Sequence, residues 1–181
     1  TFVFMWVPTL MNVAPNNAVP TGAVFSSLMI AISLGGNLYS PLSKLAGGSP
    51  EKASAWCYLL SACCMVVPSL CLSFGTGSCF YPVLASFVMV EMSIGLFSPA
   101  AGLCRAKYIP SGMQGAIMNI YRLPLNLLVV LGTRATDVWP PERCFFAVSA
   151  CFFVSAVIMF TMGGEEGVRA VEAEEKEEVE E

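Results

Sequence analysis

No histidine occurs among the 181 residues, so the commonest ligand of zinc and haem iron is missing and neither kind of centre is expected. Charge is scarce as well: Asp, Glu, Lys and Arg together make up 12% of the chain. The sequence holds no glycine-rich phosphate loop, no nucleophile set beside a base and no acidic cluster suited to a divalent ion. Basic patches interleaved with aromatics are absent too, which removes the usual footprint of a nucleic-acid partner. The expectation is a protein that is not an enzyme and carries neither cofactor nor metal.

What is present is apolar. Hydrophobic residues make up 56% of the chain and the mean hydropathy is +0.69, more apolar surface than one water-soluble core can hide. The solvent must be lipid, and the fold class that follows is an all-α, polytopic membrane helix bundle. Apolar runs cover residues 20–40, 53–74, 80–104, 114–133 and 144–162, each close to the ~20 residues that cross a bilayer as a helix. The opening TFVFMWVPTL, residues 1–10, is too short for a core about 30 Å thick and lacks the basic lead of a secretory signal. It reads as the end of a span whose earlier part precedes Thr1. Pro20 suits a first helical turn, Pro41 is expected to end that helix, and Pro68 is a kink that a membrane helix tolerates. Turns are expected at NVAPNNAV, PLSKLAGGSPEK, GTGSC and RATDVWPPER.

Cytoplasmic loops hold an excess of Lys and Arg. Lys44, Lys52, Arg105 and Lys107 fall on one side of this threading, whereas Arg134 and Arg143 on the other are offset by Asp137 and Glu142. The first side is therefore expected to be cytoplasmic, in the plasma membrane, with the C-terminus on that side. The net charge of −4 comes from the end of the chain, where Glu165 to Glu181 holds nine Glu against Arg169 and Lys176. Residues 1–163 form the expected bundle, and 164–181 an acidic tail that is solvated, disordered or loosely helical.

Two charges interrupt the spans. Glu91 lies about 16 Å into its helix and Arg122 some eight or nine residues into the next, depths taken as similar. A charge near the bilayer centre costs about 2.5–3.5 kcal/mol on insertion scales, so each needs a partner or a water-filled cavity. Either the two pair as a structural bridge, or Arg122 attracts an anionic solute while Glu91 pairs with it in one state and accepts a proton in another. Asn119, Arg122, Asn126 and Thr133 share one helical face, as do Ser26, Ser33, Asn37 and Ser40 on an earlier helix. Gly95, Ser98 and Gly102 follow Glu91 at helical spacing. Such small and polar residues either pack helices closely or line a cavity. Most of the eight cysteines sit in apolar runs and read as packing. Cys79 and Cys144 lie near helix ends on one side, where a disulfide would be sterically conceivable.

The stretch EMSIGLFSPAAGLCRAKYIPSGMQGAIMNIYRLPLNLL resembles the molybdate-anion transporter family of the major facilitator superfamily. Its cues are Glu91 followed by Gly95 and Pro99, the basic loop RAKYIP, Gln114 and Gly115, and YRLPLN within Asn119 to Asn126. TFVFMWVPTL and PTGAVFSSLMIAISLGGNLY look like the family's seventh and eighth helices. The resemblance runs from Thr1 to about Met162 and leaves out the acidic tail. It implies twelve spans in two halves around a central cavity, with this chain as the second half and the amino-terminal half as its missing partner. It also implies carriage of a small anion, molybdate, by alternating access. Arg122 would then bind the anion, Asn119 and Asn126 would supplement or orient its hydrogen bonds, and Glu91 would modulate Arg122 or couple protons. Ser26, Ser33, Asn37, Gly95 and Ser98 would line the cavity, and Arg105 and Lys107 would sit in a cytoplasmic loop. The alternatives are a receptor or scaffold that keeps the fold without flux, and a transporter of another solute, such as an organic anion or a sugar.

Overall fold

The computed structural model describes residues 2–14, 19–45, 47–75, 79–109 and 111–180, with side chains for 3–14, 19–45, 47–75, 79–109 and 112–164. The turns expected around residues 15–18 and 76–78 lie outside the described residues. The chain is all helix: α1 (Phe2–Val13), α2 (Thr21–Leu45), α3 (Pro50–Phe74), α4 (Phe80–Tyr108), α5 (Gln114–Val138) and α6 (Pro141–Glu180), with a single 3-10 turn, Ser111–Met113, between α4 and α5. Five of these, α2 to α5 and the Pro141–Gly164 part of α6, are long and apolar enough to cross a membrane.

Several helix ends differ from the sequence expectation. Pro41 does not end α2 but sits inside it. A proline removes one donor, a loss the helix survives. The stop comes at Gly47 and Gly48, whose φ of 77° and 75° only glycine adopts without strain. There the Gly48 N–H donates to the Ser43 carbonyl at 2.8 Å. Arg105 and Lys107, expected in a loop, belong to the last turn of α4, where cations suit the helix dipole. RATDVWPPER was expected to be a turn, yet α5 runs through Arg134 and Asp137 to Val138, since nothing before Pro140 prevents helix. Through the acidic tail α6 continues as helix to Glu180. Glu, Ala, Lys and Arg favour helix and no proline interrupts them.

Three seams hold the bundle together: α2 on α4, α4 on α3, and α3 on α6. Around Phe87 and Phe145, whose rings lie 5.8 Å apart, a core of Met5, Leu10, Val24, Leu28, Met65 and Val83 joins α1 to the near ends of α2, α3, α4 and α6. Further along, the Ser149 hydroxyl donates to the Ala62 carbonyl at 2.7 Å, fully buried between α3 and α6. Ser69 likewise donates to the Glu142 carbonyl at 2.8 Å. A hydroxyl between membrane helices has no water to turn to, so such bonds contribute about 0.6–1.7 kcal/mol each.

The seam of α2 on α4 depends on glycine. A Cβ at Gly35 would overlap the Met92 carbonyl oxygen, and one at Gly95 the Ile32 carbonyl oxygen. Gly95 thus serves the close approach of two backbones, the packing alternative for a small residue in a membrane helix. By contrast, α5 buries none of its residues and stands apart from the bundle.

Candidate functional site

The expected site residues fall into two groups with different surroundings. Glu91 is buried on α4, 7% exposed, one turn from the Gly95 crossing. No hydrogen bond or ion pair to its carboxylate is found among the described residues. Arg122 projects from α5, where its guanidinium donates to the Asn119 side-chain oxygen at 3.5 Å. The depths differ too: counted from the α4–α5 connection, Glu91 is about 25 Å and Arg122 about 12 Å along its helix. The bridge, one of the two alternatives for Glu91 and Arg122, is not formed in this structure: Glu91 is buried on α4 while the helix carrying Arg122 buries none of its residues.

Asn119, Arg122 and Asn126 are all exposed along α5. At the foot of that face, where α4 meets α5, a cleft of about 460 Å³ is lined by Gly102, Arg105, Gln114, Gly115 and Met118. Met118 is one turn before Arg122, so the cleft and the Asn119–Arg122 pair are continuous along one stretch of α5. Arg105 and Arg122 give this stretch two cations and no carboxylate, a field that favours an anion.

Ser26, Ser33 and Asn37 are exposed on α2. Ser26 donates to the Gly22 carbonyl at 2.9 Å, Ser33 to Met29 at 3.1 Å and Asn37 to Ser33 at 3.0 Å. Ser98, exposed on α4, donates to Ile94 at 3.1 Å. Each is satisfied within its own helix, so none ties one helix to another. These polar faces remain open. No disulfide is formed among the eight cysteines, and the Cys144 thiol points at the Ala135 and Trp139 carbonyls rather than forming a bridge with Cys79.

Sequence reasoning missed Glu51. It is fully buried in the first turn of α3 and accepts from Ser49 at 2.6 Å, Lys107 at 3.1 Å and Tyr108 at 3.0 Å. A Cβ added at Gly163 of α6 would stand 3.3 Å from the Glu51 Cβ, so the ends of α3, α4 and α6 come together around this residue. The available signal was a lone Glu among Lys44, Lys52, Arg105 and Lys107 on one side of the threading.

A set of helices long and apolar enough to cross a membrane several times, with a cationic polar face left open on one of them, defines a multi-pass integral membrane protein. Residues 1–95 match the family described as sugar transporters with 12 TM. The chain is 33% identical to the molybdate-anion transporter of Xenopus tropicalis over 89% of its own length and 36% of that protein's. It is 29% identical to that of Danio rerio over 90% of its own length and 36% of the relative's. The chain belongs to the molybdate-anion transporter family of the major facilitator superfamily. It spans about a third of the length of the curated relatives it matches. No solved structure matches it.

Proposed function

We propose that the intact protein moves a small inorganic anion, molybdate, across the plasma membrane by alternating access, and that this chain supplies the carboxyl-terminal six-helix half of its fold. The observation that carries the reading is the Asn119–Arg122 pair on a helix of spanning length with no buried residue. A guanidinium at that depth is costly unless it meets water or an anion. A tetrahedral oxyanion accepts well from a guanidinium and an amide together, since hydrogen bonds between charged groups are about twice as strong as neutral ones.

In this reading the missing amino-terminal half covers the polar faces of α2, α4 and α5, closing a cavity lined by Ser26, Ser33, Asn37 and Ser98, while Gly95, expected to line it as well, is taken up by the crossing of α2 and α4. Arg122, with Asn119 and Asn126, binds the anion. Glu91, buried without a partner among the described residues, takes up a coupling proton rather than holding Arg122. The end carrying Lys44, Lys52, Arg105 and Lys107 is cytoplasmic, and the C-terminus lies there with it. The molybdate-anion transporters among its relatives support the substrate. The family description favours a second reading, in which the solute is a sugar and the exposed Ser and Asn side chains hydrogen-bond its hydroxyls.

The test is molybdate uptake in cells expressing the full-length parent, comparing wild type with Arg122→Ala and Glu91→Gln at matched surface expression and with sulfate and a hexose as competitors. Saturable uptake lost in both variants supports the anion reading. No molybdate uptake by the wild type, with a hexose carried instead, moves the assignment to the second reading.

A further inference from the structure

We infer that the groove between α2 and α3 binds one anionic phospholipid, with an acyl chain in the groove and the phosphate between Lys44 and Lys52. Both helices pack on α4 rather than on each other, leaving an opening of about 400 Å³. Its walls are Tyr39, Leu42 and Leu45 from α2 and Trp56 and Leu60 from α3, with Leu96 of α4 as the floor. Leu42, Leu45 and Trp56 are themselves exposed on helices of spanning length, so the medium beside the groove is lipid.

Two further observations select the occupant. The Tyr39 hydroxyl is buried and has no hydrogen-bond partner among the described residues. In an apolar groove such a donor is costly to leave unpaired, and the ester carbonyl of a glycerolipid is an acceptor at the right chemical level between tail and headgroup. At the mouth, Lys44 lies in the last turn of α2 and Lys52 in the first turn of α3, both exposed. The neighbouring carboxylate, Glu51, is held by Lys107 and is itself fully buried, and among the described residues no ion pair engages Lys44 or Lys52. Apolar walls, one hydroxyl and two cations at the rim match a lipid tail, an ester and a phosphate in sequence. A free oxyanion would find one donor in the walls, the Tyr39 hydroxyl, among apolar side chains.

The experiment is native mass spectrometry of the full chain in detergent, titrated separately with phosphatidylserine and phosphatidylcholine and, in competition, with glycerophosphoserine, which has the headgroup but no acyl chains. One phosphatidylserine should be retained per chain, roughly tenfold more tightly than phosphatidylcholine, from the attraction of two lysines near an anionic surface. Lys44→Gln with Lys52→Gln should abolish that preference while leaving phosphatidylcholine retention unchanged. Leu42→Trp, which fills the groove, should reduce retention of both lipids. Equal retention of the two lipids by the wild type, or a preference that survives the double substitution, overturns the assignment. So does displacement by glycerophosphoserine as effective as by the lipid itself, which would mean headgroup binding with no use of the groove.

Discussion

Gly35 and Gly95 face each other where α2 crosses α4, each leaving room for the other helix's backbone. A Cβ on Gly35 would overlap the Met92 carbonyl oxygen and stand 3.0 Å from the Leu96 nitrogen, while one on Gly95 would overlap the Ile32 carbonyl oxygen and stand 3.0 Å from the Gly36 nitrogen. The contact is reciprocal and made with backbone, so no rotamer change can relieve an added methyl.

Alanine at either glycine is therefore expected to destabilise the bundle. Intrinsic helix propensity favours Ala over Gly by about 1 kcal/mol, but overpacking costs about 1–3 kcal/mol and overlap with backbone belongs at the upper end. Thermal unfolding in detergent should show Gly35→Ala and Gly95→Ala melting well below the wild type. Gly102→Ala, with nothing within 4 Å of the new methyl, should melt at or above it. Equal melting of all three would show that the crossing is not tight.

Removing Lys107 should cost more than neutralising Glu51. The carboxylate is fully buried while the lysine side chain is 44% exposed, so Lys107→Met strands a buried charge at a cost of about 3 kcal/mol. Glu51→Gln keeps the shape and one acceptor oxygen for Lys107 and Tyr108, while its amide N–H can donate to the Ser49 hydroxyl instead of accepting from it, and should cost about 1 kcal/mol. Denaturant unfolding of the two variants checks the order, and the reverse order would overturn it.

Glu91→Gln should leave folding unchanged or improve it, because an amide avoids the cost of about 2.5–3.5 kcal/mol for a charge at the centre of a membrane helix. Arg122→Ala, on an exposed face, should shift stability by no more than about 0.5 kcal/mol. If the proposed transport role holds, both variants lose uptake at least about tenfold while melting normally. Paired melting and uptake measurements separate that result from simple misfolding, which would lower both.

Ser149→Ala should destabilise by about 1 kcal/mol, since its hydroxyl bridges α6 to the Ala62 carbonyl of α3. Ser155→Ala should be neutral because Ser155 bonds only within its own helix, to Cys151. Comparison of their unfolding midpoints in detergent is the check, and equal shifts would remove the interhelical bond as the cause.

Composition and the spacing of apolar runs were sufficient for the number, order and approximate extent of the helices, because a chain this hydrophobic has few ways to satisfy its backbone in lipid other than helix. The polar faces at Asn119, Arg122 and Asn126 and at Ser26, Ser33 and Asn37 were legible from a period of 3.6 residues. Helix ends were less so. Pro41 looked like a stop, but a proline costs one hydrogen bond whereas Gly47 and Gly48 supply the backbone geometry that turns the chain.

What lies opposite a side chain was decided only in three dimensions. The sequence placed Glu91 and Arg122 on successive helices, yet Glu91 is buried on α4 while α5 buries none of its residues. Glu51 read as a loop residue until α4 proved long enough to bring Lys107 and Tyr108 to it. Periodicity settles which residues share one helix face, because that is a property of local backbone geometry. Which faces meet depends on helix length, on crossing points and on the small residues that permit close approach, and those are properties of the assembled bundle.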